Sequence, residues 1–155
     1  MSARAYAGSG EREAFAATSH VAYDALDDAG VDALLDRLRA AQDSGLKEAG
    51  ISIDALGGRA AEPAPGDTAF VHREAQATVQ YTATFPPGDP RAADAFVHDS
   101  RAAMLPHWGE HAYVNYADAS IEDYARAYYG ANAPRLAEVA ASYDPDGFFT
   151  QPQPL

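Results

Sequence analysis

Residues 75–85, AQATVQYTATF, decide the fold class. Ala75, Ala77, Val79, Tyr81, Ala83 and Phe85 alternate with Gln76, Thr78, Gln80, Thr82 and Thr84. Successive strand side chains point to opposite faces. A period of two therefore predicts a long antiparallel strand, with one face on helices and the other polar. Pro86-Pro87-Gly88 break the run, and Asp89-Pro90 open a helix as N-cap and first-turn proline. That helix is expected to reach about Met104, with Ala93, Phe96, Val97 and Met104 inward, before residues 106–109 bend the chain.

Toward the amino terminus, Val31, Leu34, Leu35 and Leu38 repeat at helical spacing, with Asp32, Asp36 and Arg37 outside them; the helix ends before Gly45. Residues 13–28 carry a mixed pattern that reads as helical. Gly50 to Leu56 alternate as a strand, Gly57-Gly58 turn the chain, and 59–62 are expected as the returning strand. Residues 63–67 read as a loop and 68–74 as extended. Residues 1–12 read as a flexible leader, and 13–155 as a single domain.

Toward the carboxy terminus, HAYVNYAD (111–118) alternates and reads as a strand, placing His111, Tyr113 and Asn115 on one face. An imidazole, a phenol and a carboxamide in a row can all hydrogen-bond a ligand. Ser120 with Asp123 resembles a capping box, and Gly130 is placed to end the helix that follows. Asn132 and Pro134 then start a helix with Leu136, Val139, Ala140 and Tyr143 inward. Asp144 to Gly147 stop it, and Phe148-Phe149 follow as anchors. The expected class is α+β: an antiparallel sheet with helices on one face and a carboxy-terminal helical tail.

A chain of 155 residues can bury roughly 70% of its unfolded surface. Net charge is −12, which repels phosphate backbones and anionic lipid, so nucleic acid and membrane are not expected partners. There is no cysteine, hence no disulfide and no thiolate metal site. No apolar run is long enough for a membrane span and the first ten residues lack a signal-peptide core, so a cytoplasmic location is expected. His107-Trp108-Gly109-Glu110-His111 fits H-x-x-E-H, but zinc chemistry needs both histidines on one helix face, and Pro106 and Gly109 argue against that; no metal is expected. Asp144-x-Asp146-Gly147 lacks the remaining calcium ligands and reads as a turn.

Several linked landmarks carry a resemblance. They are Tyr113-x-Asn115-Tyr116, Tyr128-Tyr129-Gly130-x-Asn132, Arg135-Leu136, and Tyr143-Asp144-Pro145 with Phe148-Phe149 and Gln151. The run Asp54 to Gly58, Thr68-Ala69-Phe70-x-His72-Arg73 and Gln80-Tyr81 extend it over nearly the whole chain from about Phe15. This order resembles the substrate-domain and carboxy-terminal part of the berberine-bridge-enzyme-like FAD-linked oxidases. The resemblance implies that Tyr113 lies over the flavin as general base, with Asn115 orienting substrate or the ring edge. A free phenol has a pKa near 10 and needs a neighbouring group to act near neutrality. Gln80, Tyr81, His72 and His111 are the residues expected to line the substrate side.

The family holds its flavin mainly on an amino-terminal domain of about 200 residues, which has no counterpart in this sequence. FAD is therefore expected only with a partner domain, and none is expected on this chain alone. The leading reading is the substrate-binding portion of an FAD-dependent oxidoreductase of secondary metabolism, acting on a small molecule with a separate FAD-domain chain. Alternatives are a stand-alone flavin-independent cyclase or isomerase with a closed pocket, sealed as a homodimer, and a small-molecule-binding protein or fragment.

Overall fold

The structure, a computed structural model, describes residues 13–85 and 88–155; the expected leader and the Pro86-Pro87 break lie outside the described residues. β1 (Ala14–Ala22), α1 (Asp28–Asp43), β2 (Ala49–Ala55), β3 (Ala77–Phe85) and α2 (Arg91–Trp108) form a sheet with two helices on it. α3 (Tyr124–Tyr129) and α4 (Ala133–Tyr143) complete the chain as a helical tail. The strand order is β1-β3-β2, with β3 antiparallel to both neighbours. This is the α+β arrangement expected, with residues 75–85 supplying its central strand.

The alternation of β3 works as read. Val79, Tyr81 and Ala83 are buried under α2, whose Ala93, Phe96, Val97 and Met104 are the inward residues expected, while Gln80, Thr82 and Thr84 occupy the other face. α2 runs one turn beyond Met104, with Pro106 inside it. A proline there costs a backbone hydrogen bond only in the last turn, and the extension brings Trp108 into the core. α1 crosses α2 closely at Gly30, where a Cβ would sit 2.8 Å from the Leu26 side chain and 3.0 Å from His107. Asp27 caps α1, accepting from the Gly30 amide at 2.8 Å. Leu34 packs inward, whereas Val31 and Leu35 remain exposed, so the apolar stripe of α1 is wider than the contact it makes.

Four expectations need correction. Residues 14–22 are a strand, not a helix: Thr18 and His20 occupy core-facing positions opposite Tyr81 and Val79, and these buried polar groups hid the alternation. Residues 59–62 do not return as a strand; Gly57 and Gly58 have φ of 130° and 53° and lead into a short 3₁₀ turn, Gly58–Ala61. Residues 68–74 are irregular rather than extended, gathered by Arg73, which donates to the carbonyls of Phe70 at 3.0 Å and Ala60 at 2.8 Å. Residues 111–118 are not a strand either, but an irregular stretch leading into a 3₁₀ turn at Val114–Tyr116.

The tail departs from expectation in detail. The helix starts at Tyr124, because Asp118 rather than a capping box takes the Ser120 amide, at 2.8 Å. Gly130 does end it, at φ 50°. Asn132 does not cap α4; its carboxamide donates to Pro65 O at 2.7 Å and Thr68 O at 3.0 Å, tying the tail to the 63–67 loop. α4 buries no residue fully, and Tyr143 points outward. Asp144 holds the turn by accepting from the amides of Phe148 and Phe149 at 2.8 and 2.9 Å, yet both rings are exposed and anchor nothing among the described residues.

Candidate functional site

The site is built on the sheet face away from the helices. Register places Ser19 opposite Gln80 and Gln80 opposite Ser52, with Thr78 beside Asp54. Ser19, fully buried, accepts from the Tyr113 amide at 2.9 Å, and its hydroxyl lies 3.5 Å from the Tyr113 carbonyl. One side chain thus replaces the strand ladder expected here. The Val21 amide donates to His111 O at 2.9 Å. Arg101, buried on α2, donates to Ser19 O at 2.5 Å and Glu110 O at 3.0 Å, and so clamps the bend at Gly109 against the edge of β1.

Held this way, the 3₁₀ turn brings Tyr113 and Asn115 together: the Asn115 carboxamide donates to the Tyr113 phenolic oxygen at 2.7 Å. That donation occupies one lone pair and leaves the phenolic O–H free to reach another group. Tyr113 is half-buried and Asn115 exposed. Tyr116 stands edge-on to Tyr113, ring centres 5.4 Å apart, and Phe70 stands edge-on from another side at 6.0 Å. Burial, with the Asp54 charge and Tyr113 nearby, raises the Tyr116 pKa. The turn therefore overlies the polar row of the sheet.

His72 and His111 lie behind it. His72 Nε2 is 3.1 Å from Tyr128 O, which can only accept, so that nitrogen carries the proton and Nδ1 accepts from the Tyr23 hydroxyl at 2.8 Å. Burial, with His111 adjacent, lowers the His72 pKa to about 4, so the ring is neutral near pH 7. His111 packs 5.3 Å from His72 and 5.1 Å from Tyr23, with its Nδ1 buried and lacking a partner. His107 lies elsewhere, 3.7 Å from Asp27, so the two histidines of H-x-x-E-H have separate surroundings.

Two expected substrate-lining residues present no surface to a ligand. Tyr81 is 0% exposed and faces the core, its hydroxyl 2.9 Å from His20 Nδ1. The strand that shows Gln80 to the polar face necessarily turns Tyr81 to the other. His72 is 1% exposed with both nitrogens engaged, so it supports the site from behind. Gln80 shares the face of the Tyr113–Asn115 pair, with Ser52 Oγ 3.5 Å from its carboxamide oxygen. Sequence reading missed Ser19, Tyr23 and Arg101, whose partners lie far along the chain; for Ser19, only recognition of β1 as a strand would have pointed to it.

The described cavities are not lined by Tyr113, Asn115 or Gln80. One of about 440 Å³ lies between α2 and α3, lined by Arg101, Leu105, Glu110 and Arg126 among others. No cluster of three or more metal-ligating side chains occurs among the described residues. No helix among them is long and apolar enough to cross a membrane.

Residues 112–155 match the family described as Berberine and berberine like. The chain is 34% identical over 105 residues to the FAD-linked oxidoreductase YgaK of Bacillus subtilis, covering 66% of this chain and 23% of that one. It is 31% identical over 123 residues to a chitooligosaccharide oxidase of Gibberella zeae, covering 68% and 23%. A solved glycopeptide hexose oxidase, bound to teicoplanin, superposes with a TM-score of 0.82 at 23% identity, covering 92% of this chain and 32% of that one. The chain thus spans about a quarter of the length of the curated relatives it matches and a third of that structure. Residues 112–155 thus carry the berberine-like family segment, and the chain is similar in sequence and in fold to a part of the length of berberine-bridge-enzyme-like FAD-linked oxidoreductases.

Proposed function

We propose that this chain is the substrate-facing part of a berberine-bridge-like FAD-dependent oxidoreductase, working against an FAD domain supplied by another chain. The observation that carries it is the Tyr113–Asn115 pair, bonded at 2.7 Å and open to solvent above a row of hydroxyl and amide side chains. A phenol with a free O–H, flanked by Tyr116 and Phe70, suits one wall around a planar heterocycle and a hydroxyl-bearing substrate. The same face does not suit the cofactor's pyrophosphate. Its sheet positions include no lysine or arginine, and Asp54 repels phosphate. The pyrophosphate would therefore be gripped by the other chain.

The flavin would supply the hydride-accepting centre. Tyr113, after releasing its own proton to solvent, would take the substrate hydroxyl proton as the phenolate, and the hydrogen bond donated by Asn115 would hold that oxygen in place. Gln80 and Ser52 would hydrogen-bond the rest of the substrate, and His111 and His72 would back the wall. Positioned proton transfer of this kind is worth about 10²–10⁴-fold in rate. Carbohydrates are the first substrates to try, given the chitooligosaccharide oxidase among the relatives.

The test is anaerobic mixing of the chain with a separately produced FAD-binding chain of the family and an oligosaccharide, followed at the flavin absorption band. Bleaching is expected in the mixture and with neither chain alone. Bleaching without this chain, or none in any mixture, contradicts the proposal.

A further inference from the structure

Tyr113 is the group on which the proposed chemistry turns, yet its backbone belongs to no sheet and no helix. It enters the 3₁₀ turn extended, at φ −101° and ψ 121°. Val21 N meets His111 O at 2.9 Å and Ala112 N meets Ala127 O at 3.0 Å, which hold the two residues before it. The Asn115 carboxamide and the Tyr116 amide donate to Tyr113 from within the turn, so they move with it and set no position relative to the sheet. Among the described residues, the hydrogen bonds that do so are those of Ser19. Its Oγ accepts from the Tyr113 amide at 2.9 Å and lies 3.5 Å from the Tyr113 carbonyl oxygen.

Ser19 is suited to be a fixed point. It is 0% exposed, and its carbonyl accepts from the buried Arg101 guanidinium of α2 at 2.5 Å. Along β1, Thr18 and His20 face the core; of Phe15, Ala17, Ser19 and Val21 on the other face, only Ser19 has a polar side chain. A serine hydroxyl can accept from an N–H and donate to a C=O at once. An anchor one residue along the strand would sit on the core face. Register also puts Ser19 in one row with Gln80 and Ser52. Neighbouring strands lie about 4.8 Å apart, so the anchor of Tyr113 stands about one strand spacing from Gln80 and two from Ser52. These contacts are all internal to the chain and need nothing against its outer surface.

We propose that Ser19 is the positioning residue that sets the place of the Tyr113 phenol relative to the Gln80–Ser52 row, an inference that rests on the proposed proton transfer. Ser19 acts through Tyr113, not on the substrate. Without its hydroxyl the Tyr113 amide loses its acceptor, and the turn shifts while Gln80 and Ser52 stay on paired strands. Substrate still binds, but the proton acceptor stands at the wrong distance. A misplacement of about 1 Å can cost about 10²-fold in rate.

The test follows flavin reduction by an oligosaccharide in the mixture with the FAD-binding chain. Ser19→Ala should lower kcat about 10- to 100-fold and leave KM within about twofold. Ser19→Cys, close in size and with a weakly accepting sulfur, should fall between. In a Tyr113→Phe background, Ser19→Ala should change the rate less than about twofold, because the group it positions is gone. On the unaltered chain alone, the Tyr113 amide should be protected from hydrogen exchange, and this holds whether or not Ser19→Ala folds. A Ser19→Ala chain within twofold of the unaltered rate overturns the proposal. So does a loss wholly in KM, or one that persists in the Tyr113→Phe background. A rapidly exchanging Tyr113 amide overturns this inference alone, whereas a Tyr113→Phe chain at full rate overturns the functional reading together with it.

Discussion

The sheet with its two helices and the carboxy-terminal tail are built to different standards of closure. Between 14 and 108 a continuous core joins β1 and β3 to α2, with Val79, Tyr81, Ala93 and Met104 at or below 1% exposure. From 112 onward only a small cluster around Ala112, Ile121, Ala127 and Tyr128 is buried. There Tyr143, Phe148 and Phe149 stand 80% or more exposed. The first region closes a core of its own, although Phe15 and Ile53 on its strands stay more than half exposed. The second spends its polar contacts on holding shape, through Asp144, Asn132, Gln153 and Asp118, and leaves large aromatic rings bare. These rings are surface that the proposed meeting with a second domain would cover.

The contrast can be broken by mutation. Met104→Ala removes a fully buried side chain and should cost about 2–5 kcal/mol in a denaturant titration. Arg101→Leu leaves the buried Ser19 O without its donor and should cost about 1–3 kcal/mol, less than the cavity, because Glu110 O lies where water can replace the lost bond. It should also loosen the Tyr113 turn.

Acid sharpens the comparison. Burial, with the Arg101 charge adding, lowers the His20 pKa to about 3, and His72 is lowered to about 4. Both bind a proton more readily in the unfolded chain, near pH 6.5. Their contribution is therefore complete above that value and is lost as pH falls toward the folded-state pKa. Each should give a slope of up to about 1.4 kcal/mol per pH unit in this window. His72→Gln should reduce the slope of unfolding free energy against pH between about 6 and 4. A stability profile flat through that range would contradict neutral burial of the two imidazoles.

The smallest effect is expected at the tail. Phe148→Ser should change the stability of the isolated chain by less than about 0.5 kcal/mol, because its ring packs mainly on Phe149. A loss above 1 kcal/mol would mean the aromatic tail is part of the core after all.

Legibility followed the range of the interactions. β3, α1 and α2 could be read from local period, because their faces separate apolar from polar residues. β1 could not, since Thr18, Ser19 and His20 are all buried, and the partners of Ser19 and His20, Tyr113 and Tyr81, are distant in sequence. The pairing of Tyr113 with Asn115 was expected from a strand and is delivered by a 3₁₀ turn. Side chains two apart share a strand face, but here the turn brings them within a hydrogen bond. Alternation alone places Gln80 on the polar face and Tyr81 in the core, as the structure has them.

The most direct measurement is the rate of flavin reduction by an oligosaccharide in the reconstituted mixture, comparing the unaltered chain with Tyr113→Phe. The substitution keeps the ring contacts to Tyr116 and Phe70 and removes only the hydroxyl. The account predicts a fall of about 10²–10⁴-fold, with unchanged chain stability. A rate within a few-fold of the unaltered chain would contradict it.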